Sequence, residues 1–211
     1  MSLALCMADT RDAELAYRTI SHSINVMQGC HKVTQVYWIS DQPLPGTLPV
    51  PHMHVKIPTI HHIQAYNQVC LHMIPQLVQE DHVLIIQTDG YAHNAHAWSP
   101  EFLNYDYVGA RWPYTWNLPH TVGNGGFSLR SKKLLQCLNE IRHPVIHTHE
   151  DFEICIHLRA QLEATGCRWA PEPLADQFSI ENCMESEWLG KSLGFHGKHL
   201  KPIYAIPEPL I

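Results

Sequence analysis

The stretch His82–Gln87 constrains this chain more than any other. Val83-Leu84-Ile85-Ile86 is continuously apolar and stops abruptly at Thr88-Asp89-Gly90. A short unbroken apolar run bounded by turn formers suits a strand covered on both faces of a mostly parallel sheet. Leu3–Ala8 is another such run, ending at Asp9-Thr10-Arg11-Asp12, and the β-branched and aromatic Val33–Ile39 ends at Ser40-Asp41. Between these two, Leu15, Ile20, Ile24 and Met27 fall on one side of a helix expected over 13–27, with Asp9 or Thr10 as its cap. Met53–Ile57 alternates like a short strand. Residues 61–78 read as a helix that Pro75 should end or kink. Strand and helix therefore alternate through residues 1–90, which is the pattern of an α/β sheet flanked by helices. Ligands of such sheets sit beyond the carboxyl ends of the strands. Asp9, Asp41 and Asp89 each follow a strand directly.

The second half is less regular. Residues 91–119 are loop-rich and carry Trp98, Trp112 and Trp116. The glycine-rich Val122–Ser131 leads into a helix expected over 132–141. A further helix starts near Glu150-Asp151 and runs to Ala164, with Gly166 as its C-cap and a short strand over 167–170.

Composition removes several classes of function. A chain of 211 residues with 45% apolar and 16% charged residues is globular and long enough for one sizeable core. The reading is a single domain over residues 1–197 with a proline-rich tail over 198–211. A net charge of -6 without a Lys/Arg run argues against a free-standing duplex-DNA binder. The seven cysteines are odd in number and none has CxxC spacing. This favours reduced thiols in a cytosolic protein over a zinc knuckle or a disulfide framework. No stretch approaches the ~18 apolar residues of a membrane span, so a cytoplasmic location is expected. The 17 histidines include His52/His54, His61/His62, His93/His96 and His143/His147/His149. None sits in a zinc frame such as HExxH, and most read as surface or polar-network residues.

Four short motifs carry chemistry. In Gln87-Thr88-Asp89-Gly90, a carboxylate at a strand end suits a divalent cation bridging the phosphates of a nucleoside diphosphate. An ordinary strand-to-loop turn uses the same residues. In Gly123-Asn124-Gly125-Gly126, three glycines in four residues permit either close approach of the backbone to a ligand or positive φ. Glu150-Asp151 at a helix start satisfies the helix dipole, and either carboxylate suits a general base that takes an acceptor proton. His196, between Phe195 and Gly197, suits a late metal ligand.

Taken in order, "HVLIIQTDGY", "EFLNYDYVGARWP", "VGNGGFSLRS", "EDFEIC" and "GFHG" resemble a family of small bacterial and phage proteins known as a domain of unknown function and related to A-type glycosyltransferases. The resemblance spans roughly residues 3–197. The "GGFSLRS…ED" portion is also similar to the β-1,4-galactosyltransferases. The resemblance implies a Rossmann-like A-type glycosyltransferase fold and a nucleotide-sugar donor, most commonly a UDP-sugar. It implies Mn²⁺ or Mg²⁺ at Asp89 and His196, in a variant that has Gln87-Thr88-Asp89 where Asp-x-Asp is usual. Gly125 and Gly126 would lie along the donor sugar. Asp151, ahead of Glu150, would be the base of an inverting transfer. Thr10, Arg11, Tyr66 and Asn67 would lie near the nucleotide, and Trp112 and Trp116 would stack on a sugar or an acceptor. The acceptor would be a surface glycan or, in a phage protein, a DNA base. A metal-dependent phosphohydrolase or nucleotidyltransferase, and a non-catalytic binding module, are the rival readings.

Overall fold

Alternate residues of the first strand enter two different apolar cores. Leu3, Leu5 and Met7 of β1 (Leu3–Ala8) join one buried cluster, while Ala4 and Cys6 join another. The computed structural model describes residues 1–141 and 148–204. It shows the same division in β2 (Val33–Ser40) and in β4 (His82–Ile85), beyond the short β3 (His52–Lys56). Trp38 and Leu84 face the first core; Tyr37, Val83 and Ile85 face the second. The unbroken apolar runs thus follow from burial on both faces.

The sheet order is β3-β2-β1-β4-β6-β5, with β5 at Tyr107–Gly109 and β6 at Ser128–Ser131. The first four strands run parallel, and β6 is antiparallel to both its neighbours. The sheet is therefore mixed, and β5 and β6 lie in stretches expected to be irregular. Their signal is masked: β5 has three residues, and β6 buries Ser128 and Arg130 completely, where a core strand would usually show apolar side chains.

α1 (Ala13–Gln28) covers the first core with Ala16, Ile20, Ile24 and Met27. Its cap is Asp12, whose Oδ1 accepts the Leu15 N–H at 2.9 Å. Asp9 and Thr10, the expected caps, are engaged elsewhere: Asp9 Oδ1 accepts the Arg11 N–H at 2.7 Å and Thr10 Oγ1 accepts the Ile60 N–H at 2.9 Å. The helix expected over 61–78 is α2 (Ile63–Gln68), a π-turn (Val69–Met73) and α3 (Ile74–Leu77). Pro75 falls in the first turn of α3, where a missing N–H costs little.

α4 (Lys132–Glu140) starts on Ser131, whose Oγ accepts the Leu134 N–H at 3.1 Å. α5 (Glu150–Phe152), a second π-turn (Glu153–His157) and α6 (Arg159–Ala164) come next. Gly166 closes α6 at φ +86°. The strand expected over 167–170 is a single bridge between Tyr107 and Trp169. α7 (Glu172–Phe178) leads into β7 (Ser179–Ile180), which pairs in parallel with β8 (Gly194–Phe195). Beyond β8, Leu200 and Tyr204 are buried with Phe195 and Tyr91. His143, His147 and the prolines at 207 and 209 lie outside the described residues. Among the described residues no helix is long and apolar enough to cross a membrane.

Candidate active site

Antiparallel pairing places the glycine-rich segment at the carboxyl edge of the parallel strands. Ile85 at the end of β4 faces Ser128 at the start of β6, and Gly126 stands against Gly90, where a Cβ on Gly90 would meet Gly126 O at 2.9 Å. A cavity of about 420 Å³ opens there. Asp9, Thr10 and Arg11 from the end of β1, Tyr66 from α2, Gln87 and Gly126, Glu150 and Asp151 from α5, and His196 all line it.

The glycines serve close approach. None of the positive-φ glycines lies between 123 and 126. A Cβ on Gly126 would meet the His196 ring at 2.2 Å, and one on Gly125 would meet Glu150 Oε1 at 2.4 Å and Asp151 Cβ at 2.8 Å. These two positions hold the His196 ring and the α5 carboxylates against one strip of backbone.

Glu150 and Asp151 are neighbours with different partners. Glu150 Oε1 accepts from Arg130 Nη2 at 2.8 Å, and both side chains are almost wholly buried. Among the described residues, Glu150 Oε2 has no hydrogen-bond partner. Asp151 Oδ2 accepts the Gly125 N–H at 2.9 Å, and Oδ1 accepts the N–H of the adjacent Phe152 at 2.8 Å. Burial, and after it the negative charge of Glu150, raises the Asp151 pKa to about 6, against the pull of those hydrogen bonds and of Arg130. A carboxylate of that pKa is ionised at neutral pH and is more basic than a solvated one.

His196 arrives through the small β7–β8 pair. Its N–H donates to Ile180 O at 2.9 Å, and the next N–H, of Gly197, donates to Asp89 O at 2.7 Å. Its Nδ1 lies 3.0 Å from Glu181 Oε1, and its Nε2 lies 3.2 Å from Gln87 Oε1 and 4.0 Å from Asp89 Oδ1. Burial opposes a charge on this ring. The hydrogen bond to Glu181 and the charges of Glu181, Asp89 and Asp151 outweigh it and raise the pKa. A carboxylate behind one ring nitrogen is also the usual backing of a metal-ligating imidazole. Among the described residues no three His, Cys, Asp or Glu side chains form a ready-made metal group. Asp89 Oδ1 and Gln87 Oε1 both face His196 Nε2, at 4.0 and 3.2 Å, and these are the residues that could hold a cation here.

Arg11 lies against Asp9, with Nη2 2.5 Å from Oδ2, and reaches Thr88 Oγ1 at 3.4 Å. Gln87 Nε2 donates to Tyr66 Oη at 2.8 Å. Two expected site residues are elsewhere. Asn67 is fully buried and donates from Nδ2 to Thr148 O at 2.6 Å, so it holds the start of the α5 segment instead of facing the cavity. Trp112 is 2% exposed, packed on Gly123 and on the Phe152 ring at 5.1 Å, and has no free face for a sugar. Of the three strand-end acids only Asp9 lines the cavity; Asp89 Oδ1 lies 4.0 Å from His196 Nε2 without reaching the cavity wall, and Asp41 accepts from Thr59 Oγ1 at 2.7 Å. His61, His62 and His149, from clusters read mostly as surface or polar-network histidines, line the cavity, as do Ile60 and Ile63, which the sequence did not single out; Glu181, also not singled out, backs His196.

The fold and this edge-of-sheet site define an α/β domain of the A-type glycosyltransferase fold. The chain belongs to the family described as Protein of unknown function (DUF5672), whose profile matches residues 50–196. No curated protein matches the sequence. Among solved structures, a glycosyltransferase involved in the glycosylation of the major capsid of PBCV-1 superposes with a TM-score of 0.63 at 11% identity, covering 98% of this chain and 100% of that one. The mannosyltransferase PcManGT from Pyrobaculum calidifontis, in complex with GDP-Man and Mn²⁺, gives 0.51 at 13% identity over 82% of this chain. The apo-form glycosyltransferase GlyE of Streptococcus pneumoniae TIGR4 gives 0.52 at 15% identity over 93% of this chain. The chain spans about half the length of the last two, 55% and 54%.

Proposed function

We propose that this chain is a glycosyltransferase that moves a sugar from a nucleoside diphosphate sugar, with UDP as the nucleotide, to an acceptor hydroxyl with inversion. The observation that carries the reading is the meeting of Asp151 and His196, from separate elements, on the Gly125-Gly126 strip at the carboxyl edge of the sheet. In this reading Thr10, Arg11 and Tyr66 take the nucleotide, and Gly125 and Gly126 take the sugar. Asp151 accepts the proton of the acceptor hydroxyl as its oxygen bonds to the anomeric carbon. The bond from that carbon to the diphosphate breaks, and its electron pair leaves with the phosphate oxygen. Arg11 offsets part of the charge that grows there. Asp89 and His196 would hold Mn²⁺ or Mg²⁺, which supplies Lewis-acid stabilisation of the departing diphosphate.

The test is a thermal-shift series on the full chain with nucleoside diphosphates and nucleotide sugars, each with Mn²⁺, Mg²⁺ or EDTA. A native-state ligand raises the midpoint by mass action. A rise with one nucleotide sugar that is lost in Asp89→Ala supports the reading and names the donor. Phosphate release from a nucleotide without sugar transfer would instead favour a hydrolase, and no shift with any nucleotide would sink the transferase reading.

A further inference from the structure

Two of the most exposed large aromatic rings among the described residues lie on one loop. Tyr114 is 63% and Trp116 47% exposed on a 3₁₀ turn over Tyr114–Trp116. The loop is closed at its base by the Trp112 N–H, which donates to Thr121 O at 2.7 Å, and by the bridge between Arg111 and Val122. Asn117 ends the turn in the left-handed region at φ 51°, the only non-glycine residue at positive φ among those described.

Next to them is a recess of about 270 Å³ lined by His120, Thr121, Val122, Arg159 and Glu172, among others. Its polar groups are already oriented. The Tyr114 and Thr121 hydroxyls both donate to the Glu172 carboxylate, and one face of the Tyr114 ring rests under Arg111. Arg111 is held by Asp176 through two hydrogen bonds, and Arg159 pairs with Glu163 and lies over the Trp169 ring. The cations here are therefore neutralised by carboxylates. That does not suit a nucleic-acid backbone, whose binding needs cations free to meet phosphates.

The recess and the catalytic centre share no lining residue but are joined by a short stretch of chain. Val122 and Gly125 are three residues apart, at most roughly 11 Å along the chain. The Gly125 N–H donates to Asp151 at 2.9 Å, and Trp112 at the loop base packs on Phe152, the residue after Asp151.

We propose that Tyr114, Trp116 and the Thr121–Glu172 recess form a saccharide subsite, so that the acceptor of this enzyme is a glycan chain. A sugar presents an apolar C–H face to an aromatic ring and hydroxyls to polar side chains, and both kinds of partner are set side by side here. The acceptor residue that reacts would meet Asp151, and the residues preceding it would run over Val122 to the two rings. This assignment rests on the transferase reading for its role as an acceptor site. A nucleic acid is the competing occupant, and the same experiment separates it.

The experiment is a printed glycan array, with a single-stranded DNA oligonucleotide spotted beside it. It is probed with the full-length wild type, the Tyr114→Ala/Trp116→Ala double variant and Asp151→Asn. The wild type is expected to bind a set of glycans that share one terminal structure. The double variant should lose the signal by about tenfold or more, and Asp151→Asn should keep it. A thermal-shift measurement on the double variant, with the same nucleotide as the wild type, checks that fold and donor site are intact. Binding to the DNA spot alone, no glycan bound by the wild type, or equal binding by the double variant would each overturn the proposal. Ring-dependent glycan binding in a protein that no nucleotide stabilises would leave the saccharide surface standing and remove its role as an acceptor subsite.

Discussion

The Asp151 carboxylate and the Gly125 backbone are joined by a 2.9 Å hydrogen bond across 26 positions of sequence. The bond fixes the carboxylate on the strip of backbone against which the His196 ring also rests. The side chain that has to move a proton is thereby oriented by main chain, which cannot rotate away as a side-chain partner can.

The first prediction concerns pH. With Asp151 as base, transferase activity rises with pH through an apparent pKa of about 6 and is flat above it. The folded-state pKa lies above the ordinary carboxylate value of 3.8. The contribution of this group to stability is therefore full below about 4 and is lost as pH rises through about 6. Asp151→Asn should lose activity by at least ~10³-fold and show a flatter unfolding free energy between about pH 4 and 7. A pH-rate profile and denaturation at several pH values measure both. An unshifted acid limb in a variant that still turns over would remove Asp151 from the role.

The second concerns the pair behind it. Arg130 and Glu150 are buried and bonded to each other at 2.8 Å. Arg130→Met leaves the Glu150 carboxylate buried without its cation and should cost roughly 3–5 kcal/mol, a fall of about 10 °C in Tm. Arg130→Met with Glu150→Gln should recover part of that loss. Calorimetry of the two variants tests the pair, and a single variant as stable as the wild type would contradict it.

The third uses a methyl group. Gly126→Ala puts a Cβ 2.2 Å from the His196 ring, and the ring is already held by Glu181 on its far nitrogen. The overpacking should cost about 1–3 kcal/mol and move His196 away from Asp89. The metal-dependent part of nucleotide binding should weaken more than the metal-free part. Titration with nucleotide in Mn²⁺ and in EDTA compares the two.

The fourth concerns the α1 cap, which directly follows Thr10 and Arg11. Asp12→Ala removes the α1 cap and should cost about 1 kcal/mol, or roughly 2–4 °C, while nucleotide binding stays unchanged. Loss of binding at unchanged Tm would mean that Asp12 takes part in holding the nucleotide beside Thr10 and Arg11.

The parallel half of the sheet is legible in the sequence because burial on both faces leaves unbroken apolar runs, as in Val83–Ile86. β6 is not, because Ser128 and Arg130 are buried for the sake of Gly125 and Glu150: Ser128 Oγ donates to Gly125 O at 2.9 Å and Arg130 binds the acid. A strand that serves the site does not look like a strand. Asp151 is legible as a candidate because it is a carboxylate at a helix start, and His196 because it is a histidine beside a glycine; Arg11 enters only through the family resemblance. Glu181 is not, because its link to His196 exists only once the two-residue strands β7 and β8 pair. Trp112 misleads because an aromatic residue in a loop-rich stretch looks exposed until Gly123 and Phe152 close over it.

The two π-turns have a consequence for phase. Each helix that faces the cavity, one carrying Tyr66 and the other Asp151, continues through a π-turn into the segment that packs beneath. A π-turn holds one residue more than an α-turn, and each added residue rotates the downstream side chains by about 100°. The angle at which Asp151 meets the cavity is thereby uncoupled from the angle at which Leu158 and Leu162 meet their core. Deleting one residue between 153 and 157 would leave a regular helix able to point its acid or its leucines correctly, but not both.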